Sequence, residues 1–264
     1  MTNQPGHPNL RERILRGDLL VGTFLNLGAP QGVELAGLAG LDWLLIDLEH
    51  GAGTEADLLA QLHAAETTGV PALVRVEVSA RLRVGRALDL GAAGIMVPRL
   101  ETAADAAAAV SYVRYQPDGI RGVALLTRGA ELGRVGHTDT RRKSQALPLV
   151  VQVENPAMVD DAAEIAAIDG VDVLFVGPTD LTHSLGIPGE FTNPAYLDAL
   201  RRVVAGAQGA GKEAGILLRR VEDLDRHVDL GFRFIGVGSD GAWVSDGATA
   251  ATGAARRARE RLGA

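Results

Sequence analysis

The sequence predicts an α/β protein whose eight parallel strands close into a (β/α)8 barrel. Three observations lead there. Short apolar runs recur along the chain, each the length of a strand buried on both faces. Helical patterns fill the intervals, the alternation expected of βαβ units and a parallel sheet. The ionisable residues gather where the runs end rather than where they begin, which is where barrels place their chemistry. A doubly wound open sheet is the alternative. The barrel is favoured because eight units fit the chain length without forcing.

The elements follow in order. Leu20–Leu25 precedes a helical pattern over Gln31–Leu38, and Trp43–Leu48 precedes Glu55–Thr67. Ala72–Val76 leads into Ala80–Leu90, and Gly94–Val97 into Ala103–Tyr112. Tyr115 to Pro148 is the longest stretch without a clear strand; it holds the turn Pro117-Asp118-Gly119, then Arg121, Arg128 and Arg134. A loop of that length in a compact barrel is functional or covered by a partner. Leu149–Val153 resumes the pattern with a helix over Pro156–Ile168, and Val171–Val176 is the sixth run. Ala214–Leu218 lies between helical patterns at Pro194–Ala207 and Val221–Leu230, and Arg233–Val237 is the eighth. Gly69 and Gly231, among others, stand between helix and strand, where a left-handed residue ends a helix. Gly241 to Ala264 is an Ala/Arg-rich helix that could close the barrel or reach into a neighbouring subunit. With no repeat or linker, 1–264 reads as a single domain.

Composition narrows the function. The chain is 47% apolar, enough for a large core, and its net charge of −7 argues against a nucleic-acid or anionic-membrane surface. Arg141, Arg142 and Lys143 read as a solvated helix face. The absence of cysteine removes disulfides, thiolate metal sites and a cysteine nucleophile, and fits a cytoplasmic protein. The polar N-terminus lacks the apolar core of a signal peptide, and no run approaches the roughly 18 residues that span a bilayer.

The strand ends then supply a candidate site. The second run stops at Asp47, Glu49 and His50, the third at Arg75, and the fourth at Pro98 and Arg99. The fifth ends in Gln152 and Glu154, the sixth in Gly177-Pro178-Thr179-Asp180, and the eighth in Gly236, Gly238 and Asp240. In a barrel these converge on one rim. Glu154 and Asp180 are the metal candidates, because two facing carboxylates repel and a divalent cation such as Mg²⁺ or Mn²⁺ relieves them. The plain alternatives are a helix cap for Glu154 and an N-cap for Asp180. His50 is the natural acid/base, following a strand into a charged cluster; turn and cap roles are the alternative for it and for Asp47. Arg75, at the end of an apolar strand, needs an anion, either a protein carboxylate or a ligand oxygen. The two lysines, Lys143 and Lys212, do not end strands, so a Schiff base is disfavoured and carbonyl chemistry would use a metal. Gly236-Val237-Gly238 is a phosphate-site candidate or a tight turn.

These segments resemble a known family. LLIDLEHG at 44–51, LVRV at 73–76, DLGAAGIMVPR at 89–99, PDGIRGV at 117–123, VQVENPAM at 151–158 and FVGPTDLTHSLG at 175–186 are similar to the HpcH/HpaI family of metal-dependent (class II) pyruvate aldolases. The similarity runs from about Val21 to Gly238. It departs at Leu48, at Thr179 and over 124–136, a loop expected to contribute to aldehyde selection. The resemblance implies a TIM barrel, often hexameric as a trimer of dimers, with the C-terminal helix exchanged between subunits. It implies Mg²⁺, Mn²⁺ or Co²⁺ on Glu154 and Asp180. Pyruvate or hydroxypyruvate would be held by Gln152 and the backbone at Thr179 and Asp180. His50 would be the base, Arg75 the stabiliser of the enolate oxygen, and Asp89 the residue that raises the histidine's basicity. Asp47 would stand beside that histidine, and the role of Glu49 stays open. The reaction implied is reversible aldol cleavage of 4-hydroxy-2-oxo acids to pyruvate and an aldehyde. An acyl-CoA lyase of malyl-CoA type, and an inert barrel serving as a binding protein, are the rivals.

Overall fold

The structure is a computed structural model and describes residues 9–263. Its elements run α1 (Leu10–Leu15), β1 (Leu20–Leu25), α2 (Pro30–Leu38), β2 (Trp43–Asp47), α3 (Glu55–Thr68), β3 (Ala72–Arg75), α4 (Arg81–Asp89), β4 (Ile95–Val97) and α5 (Ala103–Val113). They continue through a 3₁₀ turn (Arg128–Gly133), α6 (Thr140–Gln145), β5 (Leu149–Val153), α7 (Pro156–Asp160), α8 (Ala162–Ala167), β6 (Val173–Val176), α9 (Pro178–Ser184) and α10 (Pro194–Gly209). Last come β7 (Glu213–Leu218), a 3₁₀ turn (Val221–Asp223), α11 (Leu224–Leu230), β8 (Phe234–Ser239) and α12 (Asp240–Leu262). The eight strands pair in parallel, each with its sequence neighbour, and β8 closes onto β1. The barrel expected from the sequence is therefore the barrel observed, and the open sheet is set aside.

One departure has a local cause. The helix expected over Pro156–Ile168 breaks at Asp161, whose ψ of 7° leaves the helical region and separates α7 from α8. The strand-free stretch from Tyr115 to Pro148 carries only the 3₁₀ turn and α6. Among the described residues, no helix is long and apolar enough to cross a membrane.

The side chains sort by the two-residue period of a strand. One set points outward: Leu44 and Ile46, Val74, Ile95 and Val97, Val151 and Val153, and Leu174 and Val176 pack against the helical ring. The other set fills the barrel interior: Leu20 and Phe24, Trp43 and Leu45, Leu73, Met96, Val150, Val173 and Phe175, and Phe234, with Leu10 and Ile14 of α1 packed against them. Aromatic rings dominate this interior. Trp43 stacks on Phe234 with centroids 4.3 Å apart and planes 8° apart, and Phe24 lies 5.8 Å from Phe175. Glycines make room for the rings. A Cβ at Gly22 would stand 2.1 Å from Trp43 Cδ2, and one at Gly215 would stand 2.5 Å from Phe175 Cδ2.

The inward column does not stop at the aromatics. Continuing it by two residues reaches Asp47 above Leu45, Arg75 above Leu73, and Gln152 and then Glu154 above Val150. The polar rim is thus the next layer of the same interior. Arg75 sits directly on the apolar floor, its guanidinium carbon 5.3 Å from the centre of the Phe24 ring.

α12 is anchored at one end only. Asp240, its first residue, accepts from the backbone N–H of Asn26 at 2.8 Å and of Leu27 at 3.3 Å. Beyond the first turn the helix is almost wholly exposed, including Trp243 and Val244. It does not close the barrel, because β8 pairing with β1 already does.

Candidate active site

Asp47 and Arg75 end neighbouring strands in register. Arg75 Nε donates to Asp47 Oδ1 at 2.8 Å and Nη2 donates to Oδ2 at 2.6 Å, a two-pronged pairing between buried groups. The same Asp47 Oδ1 accepts from the backbone N–H of Glu49 at 3.0 Å and of His50 at 3.3 Å. Asp47 therefore fixes both the arginine and the turn that presents the histidine. Gly51 completes that turn, since a Cβ there would lie 2.1 Å from the Asp47 carbonyl oxygen.

The polar chain continues across the mouth. Arg75 Nη1 donates to Gln152 Oε1 at 3.4 Å, and Gln152 Nε2 donates to Glu154 Oε1 at 2.8 Å. Glu154 Oε2 accepts from the backbone N–H of Arg99 at 3.1 Å. Four strands are thereby joined through one line of contacts. Glu49 completes the set, with Oε2 3.1 Å from Arg75 Nη1 and 3.8 Å from His50 Nε2. The Glu49 role left open by the sequence is, structurally, that of a second carboxylate on Arg75. His50 itself is well exposed at the rim, its side chain 62% accessible.

The electrostatics are those of crowded carboxylates. Burial pushes the Glu154 carboxyl up to about 7, assisted by the charges of Asp180 and Glu49 and opposed by the Arg99 N–H and Arg75. Burial also raises Glu49, against the lowering fields of Arg75 and His50. Burial disfavours the Arg75 charge, but its bond to Asp47 and the charges of Asp47, Glu49 and Glu154 outweigh this and raise its pKa further. Arg75's anion is thus a protein carboxylate. Three carboxylates, at Asp47, Glu49 and Glu154, act on this one buried guanidinium, and Asp180 adds its charge at Glu154.

That surplus fits a divalent cation. Glu49 Oε2 is buried and accepts no hydrogen bond. Glu154 is packed so tightly on Gly177 that a Cβ there would stand 2.7 Å from its Oε1. Neither metal candidate is a helix cap: Asn155 caps α7 by accepting from the Met158 N–H, and Gly177 precedes α9, leaving Asp180 within its first turn. Among the described residues, no three His, Asp or Glu side chains form a complete metal cage. Two oxygen donors with the remainder from small molecules is the habit of Mg²⁺. The first-turn N–H groups of Thr179 and Asp180 have no partner within the helix and face outward from its start.

Some expected groups lie elsewhere. Asp89 is the last residue of α4, which runs from the catalytic rim back to the amino-terminal side of the barrel; there it accepts from Arg121 Nη2 at 2.8 Å. Within one chain it does not meet His50. Loop 124–136 is on the same far side: Arg128 Nε donates to the Leu90 carbonyl oxygen at 3.2 Å, and Gly129 packs on Leu88. A role for this loop in aldehyde selection within its own barrel is therefore not met, because the fold returns it to the wrong end. Gly236-Val237-Gly238 is not a turn but part of β8, where the pairing with β1 shifts register and Gly238 takes a φ of 61° just before α12. Arg141, Arg142 and Lys143 are each ion-paired, with Asp118, Asp139 and Glu131. Sequence reasoning passed over Arg219 and Arg220, exposed just beyond β7; reading past the last apolar residue would have found them.

Comparison with known proteins agrees with this geometry. The model of the HpcH/HpaI aldolase/citrate lyase family matches residues 20–246. A hydroxypyruvate/pyruvate aldolase of Delftia acidovorans is 37% identical over 241 residues, covering 89% of this chain and 87% of that protein. A 5-keto-4-deoxy-D-glucarate aldolase of Klebsiella pneumoniae is 38% identical over 220 residues, covering 83% and 86%. Among solved structures, a HpcH/HpaI aldolase/citrate lyase family protein from Burkholderia cenocepacia superposes with a TM-score of 0.88 at 36% identity, covering 94% of this chain and 98% of that one. A buried arginine–carboxylate network on the mouth of a closed barrel, in a chain this similar to aldolases along most of its length, places it: the protein belongs to the HpcH/HpaI aldolase/citrate lyase family and is a carbon–carbon lyase.

Proposed function

We propose that the chain is a cytoplasmic, metal-dependent aldolase that joins pyruvate, or hydroxypyruvate, reversibly to an aldehyde and so acts on 4-hydroxy-2-oxo acids. The observation that carries this reading is the surplus of carboxylates around Arg75, with Glu154 pushed up to about 7 beside Asp180. Glu154 and Asp180 would hold Mg²⁺, Mn²⁺ or Co²⁺, which supplies a Lewis acid for the keto oxygen when bound.

The chain's own groups do the rest. Gln152 and the N–H groups of Thr179 and Asp180 orient the carboxylate of pyruvate. Arg75, held rigid by Asp47, donates toward the oxygen on which charge develops as the methyl C–H bond breaks; a fixed donor needs no reorganisation. His50 takes that proton in the addition direction. In cleavage it takes the 4-hydroxyl proton, and the pair of electrons left on the breaking C3–C4 bond passes to the enolate. The exposed position of His50 suits a group that must exchange protons with solvent. Asp89 would serve a histidine only across a boundary between two copies, and the unsupported length of α12 supports an exchanged helix in a homo-oligomer.

The test is chelation. Exhaustive EDTA treatment is expected to abolish pyruvate-dependent aldol activity, and Mg²⁺, Mn²⁺ or Co²⁺ to restore it. Full activity without metal would end the proposal. Acetyl-CoA release from malyl-CoA would instead favour an acyl-CoA lyase.

A further inference from the structure

The acidic mouth poses a difficulty for one class of acceptor. An aldehyde that itself carries a carboxylate would be repelled by Glu49, Glu154 and Asp180 unless a cation answered it. Arg75 is already engaged by Asp47, Glu49 and Gln152. Arg99 is placed to answer instead.

Arg99 follows Pro98 at the carboxyl end of β4, between the strand that ends in Arg75 and the strand that leads to Glu154. Its φ of 55° is left-handed, a conformation that costs a bulky L-residue about 1 kcal/mol or more. The strained turn is pinned twice by the next strand. The Arg99 N–H donates to Glu154 Oε2 at 3.1 Å, and Asn155 Nδ2 donates to the Leu100 carbonyl oxygen at 3.1 Å. Glycine or asparagine would occupy such a position at lower cost. Strain held at a site in this way is a pointer to function.

The side chain is uncommitted. Many arginines elsewhere are paired, such as Arg121 with Asp89, Arg128 with Glu66 and Arg141 with Asp118, although exposed ones on helices, such as Arg81 and Arg201, are not paired with any described residue. The Arg99 guanidinium makes no hydrogen bond or ion pair with any described residue; it is exposed at the rim, and its charge reaches Glu49. Other exposed cations near the rim include Arg81, which opens α4 on the outer helical ring, and Arg219 and Arg220, which follow β7, three strands around the barrel from β4. Arg220 also lies 3.6 Å from Glu222.

We propose that Arg99 selects the acceptor: its guanidinium receives the distal carboxylate of the aldehyde, so that the enzyme prefers semialdehyde acids to neutral aldehydes. This rests on the aldolase reading above. A guanidinium suits the task because its planar fork matches a carboxylate in two-pronged fashion.

The experiment uses the full chain with Mg²⁺ and pyruvate, and compares succinic semialdehyde with butanal, of equal carbon number. The quantity read is the ratio of kcat/KM for the two acceptors in the unsubstituted protein and in Arg99→Gln, Arg99→Gly, Arg99→Lys and Arg219→Gln. The ratio should exceed one in the unsubstituted protein. It should fall about 10- to 100-fold in Arg99→Gln, the size of one charge-assisted hydrogen bond, mainly through the KM of the acid. Arg99→Gly, which suits the left-handed backbone, should behave alike, and Arg99→Lys should recover part of the loss. An unaltered ratio in the Arg99 variants, a fall in Arg219→Gln instead, or an initial preference for butanal overturns the assignment. Exchange of the pyruvate methyl protons with D₂O separates the two levels. Without metal-dependent exchange in the unsubstituted protein, the aldolase reading itself fails; with exchange but an unaltered ratio, only the Arg99 assignment fails.

Discussion

Asp47 and Arg75 face each other across neighbouring strands, in register, through two hydrogen bonds of 2.8 and 2.6 Å. The pair is buried and sits on the Phe24 ring, so neither partner can turn to water if the other is lost. Asp47→Ala should therefore destabilise the protein by roughly 3 kcal/mol, the usual result of stranding one buried ion. Thermal or urea unfolding measures it. A change under about 0.5 kcal/mol would mean that Glu49 alone neutralises the arginine.

Removing the groups assigned to proton transfer and charge stabilisation should act on turnover more than on folding. His50→Ala and Arg75→Ala are each expected to lower kcat by about two to four decades. Steady-state assays with pyruvate and an aldehyde test this. Unaltered rates in both variants would overturn the roles.

Glu154 gives a pH dependence whose sign can be worked out. Its carboxyl titrates at about 7 in the folded chain against an ordinary 4.5. A raised pKa favours the folded state at low pH, and that contribution is lost as pH rises from the unfolded value through the folded one. The metal-free protein should lose on the order of 3 kcal/mol from this group over that window. A divalent cation replaces the proton, so the rise in Tm on adding Mg²⁺ should be larger at pH 8 than at pH 5. Equal rises at both would argue against Glu154 as a ligand.

Gly177 offers a steric test of the same carboxylate. Its φ of −92° is open to any residue, so Gly177→Ala strains no backbone. The new methyl would stand 2.7 Å from Glu154 Oε1 and 2.9 Å from Cγ, and the carboxylate must move. Metal affinity should weaken by about tenfold or more while secondary structure is retained, as disturbed ligand support commonly does. Calorimetric titration with Mn²⁺ reads it, and an unaltered affinity would place the ion elsewhere.

Gly22→Ala probes the floor. A Cβ there meets Trp43 Cδ2 at 2.1 Å and the Trp43 carbonyl oxygen at 2.4 Å, and only part of that can yield. A loss of about 3 kcal/mol or more is expected, at the upper end for overpacking. Chemical denaturation checks it.

The strands were legible because burial on both faces removes polar residues from them, so Trp43–Asp47 and Leu149–Val153 stand out as apolar runs that end in charge. The inward direction of Asp47, Arg75, Gln152 and Glu154 could be read from the period of two once the strands were placed. What could not be read was contact. Nothing in the spacing says that Gln152 bridges Arg75 and Glu154, or that Glu49 lies beside Arg75, since both depend on how the barrel closes. Short helices escaped for another reason: α9 has seven residues, too few for a periodic signal, and starts because Pro178 fits its first position. Asp89 matched by sequence pattern, yet its placement depends on which way α4 runs, and that carries it to the opposite end of its own barrel.

The packed rings of Trp43, Phe234, Phe24 and Phe175 make the barrel a vessel with a sealed bottom. A sealed vessel has a single doorway, and traffic through it has an order. In the proposed reaction pyruvate would sit lowest, against Arg75 and Gln152, with the aldehyde between it and solvent. Pyruvate must then enter first in synthesis and leave last in cleavage, so the pattern of product inhibition is set by plugged geometry rather than by relative affinity.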